Sequence, residues 1–187
     1  DSPIAVVPNP TTTSSYNSSA NLQGWWRLNV RESLSWADSS GNGRTGACDG
    51  ADCATISTSL RPHLYIVDAS AQFDGSNDYL DLNYGNSVNA QAGFSVSLWV
   101  KLDDDWDGTA GNYMALGSAT GTNQRFYIGT NNTRWSFGYA SSGWSSSGSA
   151  TAFAGAWTHV CVTATSGAQK LYVNGVEITA QAKTDSS

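Results

Sequence analysis

Residues 94–102 of this 187-residue chain, FSVSLWVKL, constrain the fold more than any other stretch. Phe94, Val96, Leu98 and Val100 recur every second residue. A strand puts alternate side chains on opposite faces, so this segment predicts a half-buried β-strand rather than a helix. The same kind of run returns in GWWRLNV, LYIVDA, AQFDGSNDYLDL, YMALGS, RFYIGT, RWSFGYA, AWTHVCVTA and KLYVNGVEI. Turn residues separate these runs, and no apolar stripe of helical period crosses them. Composition agrees: Ser, Thr, Gly, Asn and Ala abound, while Glu occurs only at positions 32 and 177 and Lys only at 101, 170 and 183. The pattern predicts an all-β, antiparallel, two-sheet sandwich or jelly roll over residues 23–187.

Residues 1–22 differ, holding three of the four prolines and a Ser/Thr/Asn tract. They are expected to form an extended arm, with Pro3, Ile4, Ala5, Val6 and Val7 as its one apolar patch. The net charge of −6 argues against nucleic acid, whose backbone demands clustered Lys and Arg. No apolar run is long enough to insert in a membrane as a helix. Cys48 and Cys53 in ACDGADCA can close a small disulfide loop across Asp49-Gly50; a metal half-site of this spacing lacks a second pair nearby. Cys161 in THVCVTA is expected to be an inert, buried thiol. A disulfide implies an oxidising compartment, and a chain opening at Asp1 is read as processed and secreted, so an extracellular location is expected.

Four blocks in order, GWWRL with ADSSGNGRTG, AQFDGSNDYLDL, FSVSLWVKL, and GAWTHVCVTAT with QKLYVNGVEI, resemble the laminin G-like, concanavalin A-like jelly rolls of secreted bacterial proteins. The resemblance spans about residues 23–180. It implies two antiparallel sheets of a dozen or so strands, usually without catalysis, that bind glycans, proteins or cell surfaces. It also implies a strand beyond the YVNGV hairpin, returning beside GWWRL. Here only TAQAKTDSS follows, so an open sheet edge beside Trp25 to Leu28 is expected.

Catalysis finds little support, because glycoside hydrolysis on such folds needs two acids facing one another. Asp78 and Asp81 are an odd number of residues apart and so face opposite ways. His63 follows a proline, and His159 resembles the family's structural histidine. Calcium is the expected cofactor. Asp38 and Asn42 supply side-chain oxygens on a loop where Gly41 and Gly43 can turn carbonyls outward, and the resemblance points to the same loop. The alternative is a plain Asx-turn loop that needs no ion. The acidic run Asp103, Asp104, Asp105, Asp107 is a second candidate, set against a merely solvated loop. Trp106 and Trp144, among polar loop residues, are candidates for stacking on sugar rings, or for pinning their own loops. Trp25, Trp36, Trp99 and Trp157 are assigned to the core or to sheet packing.

Two functions from different classes remain. In the first, copies of the chain assemble into an extracellular homopolymer, the PIAVV arm of one entering the open sheet edge of the next. In the second, the chain is a carbohydrate-binding or adhesion module of a larger secreted protein.

Overall fold

The computed structural model describes residues 21–29, 31–60, 69–82, 93–103, 113–118, 125–131, 133–139, 147–165 and 168–182. The arm residues Pro3 to Val7, the loop tryptophans Trp106 and Trp144, His63, the LYIVD of LYIVDA and Asp104, Asp105 and Asp107 lie outside them. All twelve regular elements among the described residues are strands, as the alternation requires. They fall into two compact units, Asp1–Tyr84 and Gly85–Ser187.

The first unit holds four short strands: β1 (Ser35–Trp36), β2 (Gly46–Ala47), β3 (Thr55–Ser57) and β4 (Ser70–Gln72). β1 pairs with β2 and β3 with β4, both antiparallel. The backbone of Ala47 exchanges two 2.8 Å hydrogen bonds with Asp81, tying β2 to the 79–82 segment. Gly46 packs close to that segment: a Cβ there would lie 2.8 Å from Leu80 Cδ1 and would push the Leu80 side chain aside. Cys48 and Cys53 form the expected disulfide, with both residues buried. Closing so small a loop stabilises by about 2 kcal/mol on the chain-entropy estimate. The GSND turn forms because the Asp74 carboxylate accepts the amides of Ser76, Asn77 and Asp78.

GWWRLNV, expected to be the first strand, is not one. Among its described residues, 24–29, the ladder contact is an isolated bridge from Trp26 to Asp38. Two causes are visible. Leu28 adopts φ 58°, which breaks the extended run, and the Trp25 amide goes to the Asp38 side chain rather than to a neighbouring strand.

The second unit is a sandwich. Its strands are β5 (Phe94–Lys101), β6 (Tyr113–Ser118), β7 (Arg125–Asn131), β8 (Arg134–Tyr139), β9 (Ser147–Thr151), β10 (Trp157–Thr165), β11 (Ala168–Val173) and β12 (Val176–Ala182). One sheet runs β12-β11-β10-β5 and the other β6-β7-β8-β9, antiparallel throughout. Val96, Leu98 and Val100 of β5 join Val160, Val162 and Leu171 on the inner face of the first sheet, against Ile128, Trp135 and Phe137 of the second. Each buried large aliphatic or aromatic side chain contributes about 1.5–3 kcal/mol, so this cluster is the main source of the unit's stability.

Asn174 and Gly175, at φ 50° and 81°, make the tight turn between β11 and β12, both positive angles as a type I′ turn demands. The Asn174 side chain accepts the His159 amide at 3.0 Å while its own amide donates to His159 O at 2.8 Å. The hairpin tip is thereby stitched to β10. β12 runs to Ala182, past the KLYVNGVEI block, and its pairing with β11 shifts register between Leu171 and Tyr172.

Candidate functional site

Period-two geometry gives the β12-β11-β10-β5 sheet a second face, turned away from the core. Ser97, Trp99 and Lys101 of β5 stand there beside Cys161, His159 and Trp157 of β10, their direct cross-strand partners. Tyr172 and Lys170 extend the row on β11. Trp99 is 55% exposed. Its ring lies 5.2 Å from the His159 imidazole, centroid to centroid, with the planes tilted by 49°. The other side of that imidazole is held by Ser97, whose Oγ shares a 2.7 Å hydrogen bond with Nε2. His159 is further fixed through its backbone by Asn174, as described above. Trp99 therefore stands on a braced neighbour rather than on a loose one. At the far side of the face Lys170 Nζ meets Glu177 Oε2 at 3.0 Å, and that hydrogen bond and charge push the ammonium up.

Trp99 was expected to be a packing residue; it is instead the most exposed tryptophan on this face. Trp157 is half-buried, and Trp36 is a core residue as expected. Cys161 is half-buried on the outer row rather than inside, and burial pushes its thiol up, which keeps it a poor nucleophile. Among the described residues the His159 ring takes Ser97 as its hydrogen-bond partner.

The Asp38 loop lies in the first unit. Asp38 Oδ1 accepts the amides of Trp25 at 3.0 Å and Ser40 at 2.8 Å. Oδ2 accepts the Ser40 hydroxyl at 2.8 Å and the Arg44 amide at 3.1 Å. A carboxylate has roughly four lone-pair sites, and all four are taken by protein donors. Partial burial by itself pushes this carboxyl up, but the hydrogen bonds from Trp25, Ser40 and Arg44 outweigh it and hold Asp38 below the usual value. Asn42 turns its amide nitrogen to Leu22 O at 2.8 Å, Gln23 O at 3.2 Å and Ser40 Oγ at 3.1 Å. Gly41 and Gly43, at φ 88° and 70°, supply the bends.

A calcium ion requires oxygen lone pairs facing inward. Both oxygens of Asp38 already accept hydrogens from Trp25, Ser40 and Arg44, and Asn42 turns its amide nitrogen to Leu22, Gln23 and Ser40, so as arranged this donor set does not fit one. Among the described residues, no group of three His, Cys, Asp or Glu gathers as metal ligands. What the loop does is mechanical. It ties Trp25 to Ser40 and Arg44, and Ser39 returns a 2.7 Å bond to Trp25 O.

A family model for the concanavalin A-like lectin/glucanases superfamily, of laminin G type, matches residues 74–187. The chain belongs to that superfamily. A search of curated proteins finds no match. The superfamily match takes in all eight strands of the sandwich and begins at Asp74, so GWWRL and the Asp38 loop fall outside it.

Proposed function

We propose that the chain is a non-catalytic carbohydrate-binding or adhesion module, and that glycan lies across the outer face of the sheet at Trp99. The observation that carries this is a tryptophan more than half exposed in mid-strand, on a face otherwise composed of small, polar and half-buried residues. Exposing that much indole to water costs about 25 cal/mol per Å² of apolar area, a cost that a ligand would remove. A pyranose ring offers a C–H face that packs on an indole, while its hydroxyls can reach polar groups alongside. His159 and Ser97 are such groups, and they hold one another in position. The superfamily, which includes lectins by its own description, supports the same class of ligand. The Cys48–Cys53 disulfide supports an extracellular setting.

The polymer alternative rests on Pro3 to Val7, which lie outside the described residues, and no described contact favours it. Glycan-array binding of the full chain against Trp99→Ala tests the proposal. Removing a central aromatic anchor commonly weakens binding by tenfold or more, about 1.4 kcal/mol. An array on which wild type and Trp99→Ala give the same signal, or neither binds, overturns the assignment.

A further inference from the structure

His159 and Trp99 are direct cross-strand partners, with ring centres 5.2 Å apart and planes tilted by 49°. The imidazole reaches along the face to Ser97, two residues before Trp99 on β5, where Oγ and Nε2 share a 2.7 Å hydrogen bond. The His159 backbone is pinned as well, its amide donating to Asn174 Oδ1 at 3.0 Å and its carbonyl accepting the Asn174 amide at 2.8 Å. Backbone and ring are thus both held in place. What remains variable is the proton on the ring, because histidine is the side chain whose ordinary change of charge falls between about pH 5 and 8.

A proton changes two things at this spot. A neutral imidazole donates from one nitrogen and accepts at the other, whereas an imidazolium donates from both, so the Ser97–His159 pair loses its acceptor nitrogen. A full positive charge also arrives within the roughly 6 Å over which a cation and an indole attract. The C–H face of a pyranose carries partial positive charge and is drawn to that same electron-rich ring. Imidazolium and sugar therefore compete for one π system. A charged ring also holds its water harder, and a ligand covering the face has to strip that water. Both changes run against binding.

The described groups around the imidazole do not cancel the added charge. Lys101 on β5, opposite Trp157, and Lys170 on β11 are both cations of this face. Glu177 of β12, placed here by its pairing with Tyr172, is already engaged by Lys170 at 3.0 Å. Cys161 on β10 and Tyr172 on β11 are a thiol and a phenol, groups that lose protons on the alkaline side, and burial pushes the Cys161 thiol further up. Acidification from about pH 8 to 5 therefore acts on this face through His159. We propose that His159 is a positioning residue that couples the Trp99 face to pH: the neutral imidazole supports the indole as a ligand platform, and protonation weakens that platform. The binding consequence rests on the reading of Trp99 as a glycan anchor.

The test separates the coupling from the glycan. In the ligand-free, ¹⁵N-labelled full chain the Trp99 indole ¹H–¹⁵N signal, assigned by its loss in Trp99→Phe, should move in one step between about pH 8 and 5. Its midpoint should equal that of the His159 ring signals. The step should vanish in His159→Gln and persist in Glu177→Gln. A glycan array is then read at both pH values. Wild type should bind about fivefold more weakly at about pH 5 than at about pH 8. His159→Gln, whatever its absolute affinity, should bind equally at both. The shared midpoint is measured in wild type alone, so it decides the matter even if His159→Gln does not fold. The inference is overturned if the Trp99 signal does not follow the His159 titration, or if bound glycan is held equally or more tightly in acid. A coupled step in a chain that binds no glycan upholds the coupling and refutes the glycan reading instead.

Discussion

The Asp38 loop offers the sharpest quantitative prediction, because the carboxylate satisfies four donors and no metal is needed to explain it. Asp38→Ala removes the acceptor for the Trp25, Ser40 and Arg44 amides and for the Ser40 hydroxyl. At about 1 kcal/mol net per bond the set is worth about 4 kcal/mol, and water entering the half-buried site lowers this to about 2–4 kcal/mol. In a chain of this length that corresponds to a melting point lower by roughly 5–15 °C. Asp38→Asn should fall nearer to alanine than to wild type. Its one carbonyl serves two donors, while its NH₂ confronts the other two. The assay is urea unfolding of wild type and both variants, each with and without a chelator, with amide exchange followed at Trp25, Ser40 and Arg44. The expected result is a loss in the variants that chelator neither mimics nor enlarges. Two results refute the reasoning. One is Asp38→Ala unfolding within about 1 kcal/mol of wild type, an ordinary surface effect. The other is chelator lowering wild type as far as the substitution does, which makes Asp38 a metal ligand after all.

Two further outcomes follow from the same contacts. Because the hydrogen bonds hold the folded-state Asp38 carboxyl below its ordinary value, its contribution is present in full above about pH 4, the unfolded carboxylate range, and is lost as the pH falls through the folded value. The stability gap between wild type and Asp38→Ala should therefore be constant at neutral pH and close in acid; a gap that widens on acidification contradicts the assigned sign. Asn174→Ala should destabilise the second unit by about 2–3 kcal/mol in urea, combining about 1–2 kcal/mol for a left-handed alanine with the lost bond to the His159 amide. Replacement by glycine should recover the backbone part only.

The sandwich was legible because its cause is local. Val96, Leu98 and Val100 on β5 and Val160 and Val162 on β10 sit at period two, and the Asn174-Gly175 dipeptide specifies its turn without help from the rest of the chain. The first unit was less so. GWWRL has the composition of a strand, and nothing in its residues announces that Leu28 takes a positive φ or that Trp25 bonds a side chain. The Trp25 bond is made to Asp38, thirteen residues away, and that long-range acceptor competes with local strand propensity. The calcium expectation turns on the same point. An Asp-Ser-Ser-Gly-Asn-Gly run supplies oxygens whether they face an ion or the loop's own amides, and the sequence does not say which.

Trp99 is a different kind of miss, because the signal was present. If Val96, Leu98 and Val100 face inward, parity alone puts Ser97, Trp99 and Lys101 on the other side of the same strand. The cross-strand register then brings His159 opposite Trp99, and parity on β10 sends Val160 inward and His159 outward. Counting tryptophan as an apolar residue hides this, since FSVSLWVKL then reads as a run of five apolar residues in seven rather than as an alternation with one deliberate exception. A tryptophan at an outward position of such a strand belongs to the sheet's outer face, not to the core. On that face the braced His159 gives the indole one neighbour and leaves more than half of it exposed, the surface on which the proposed glycan contact rests.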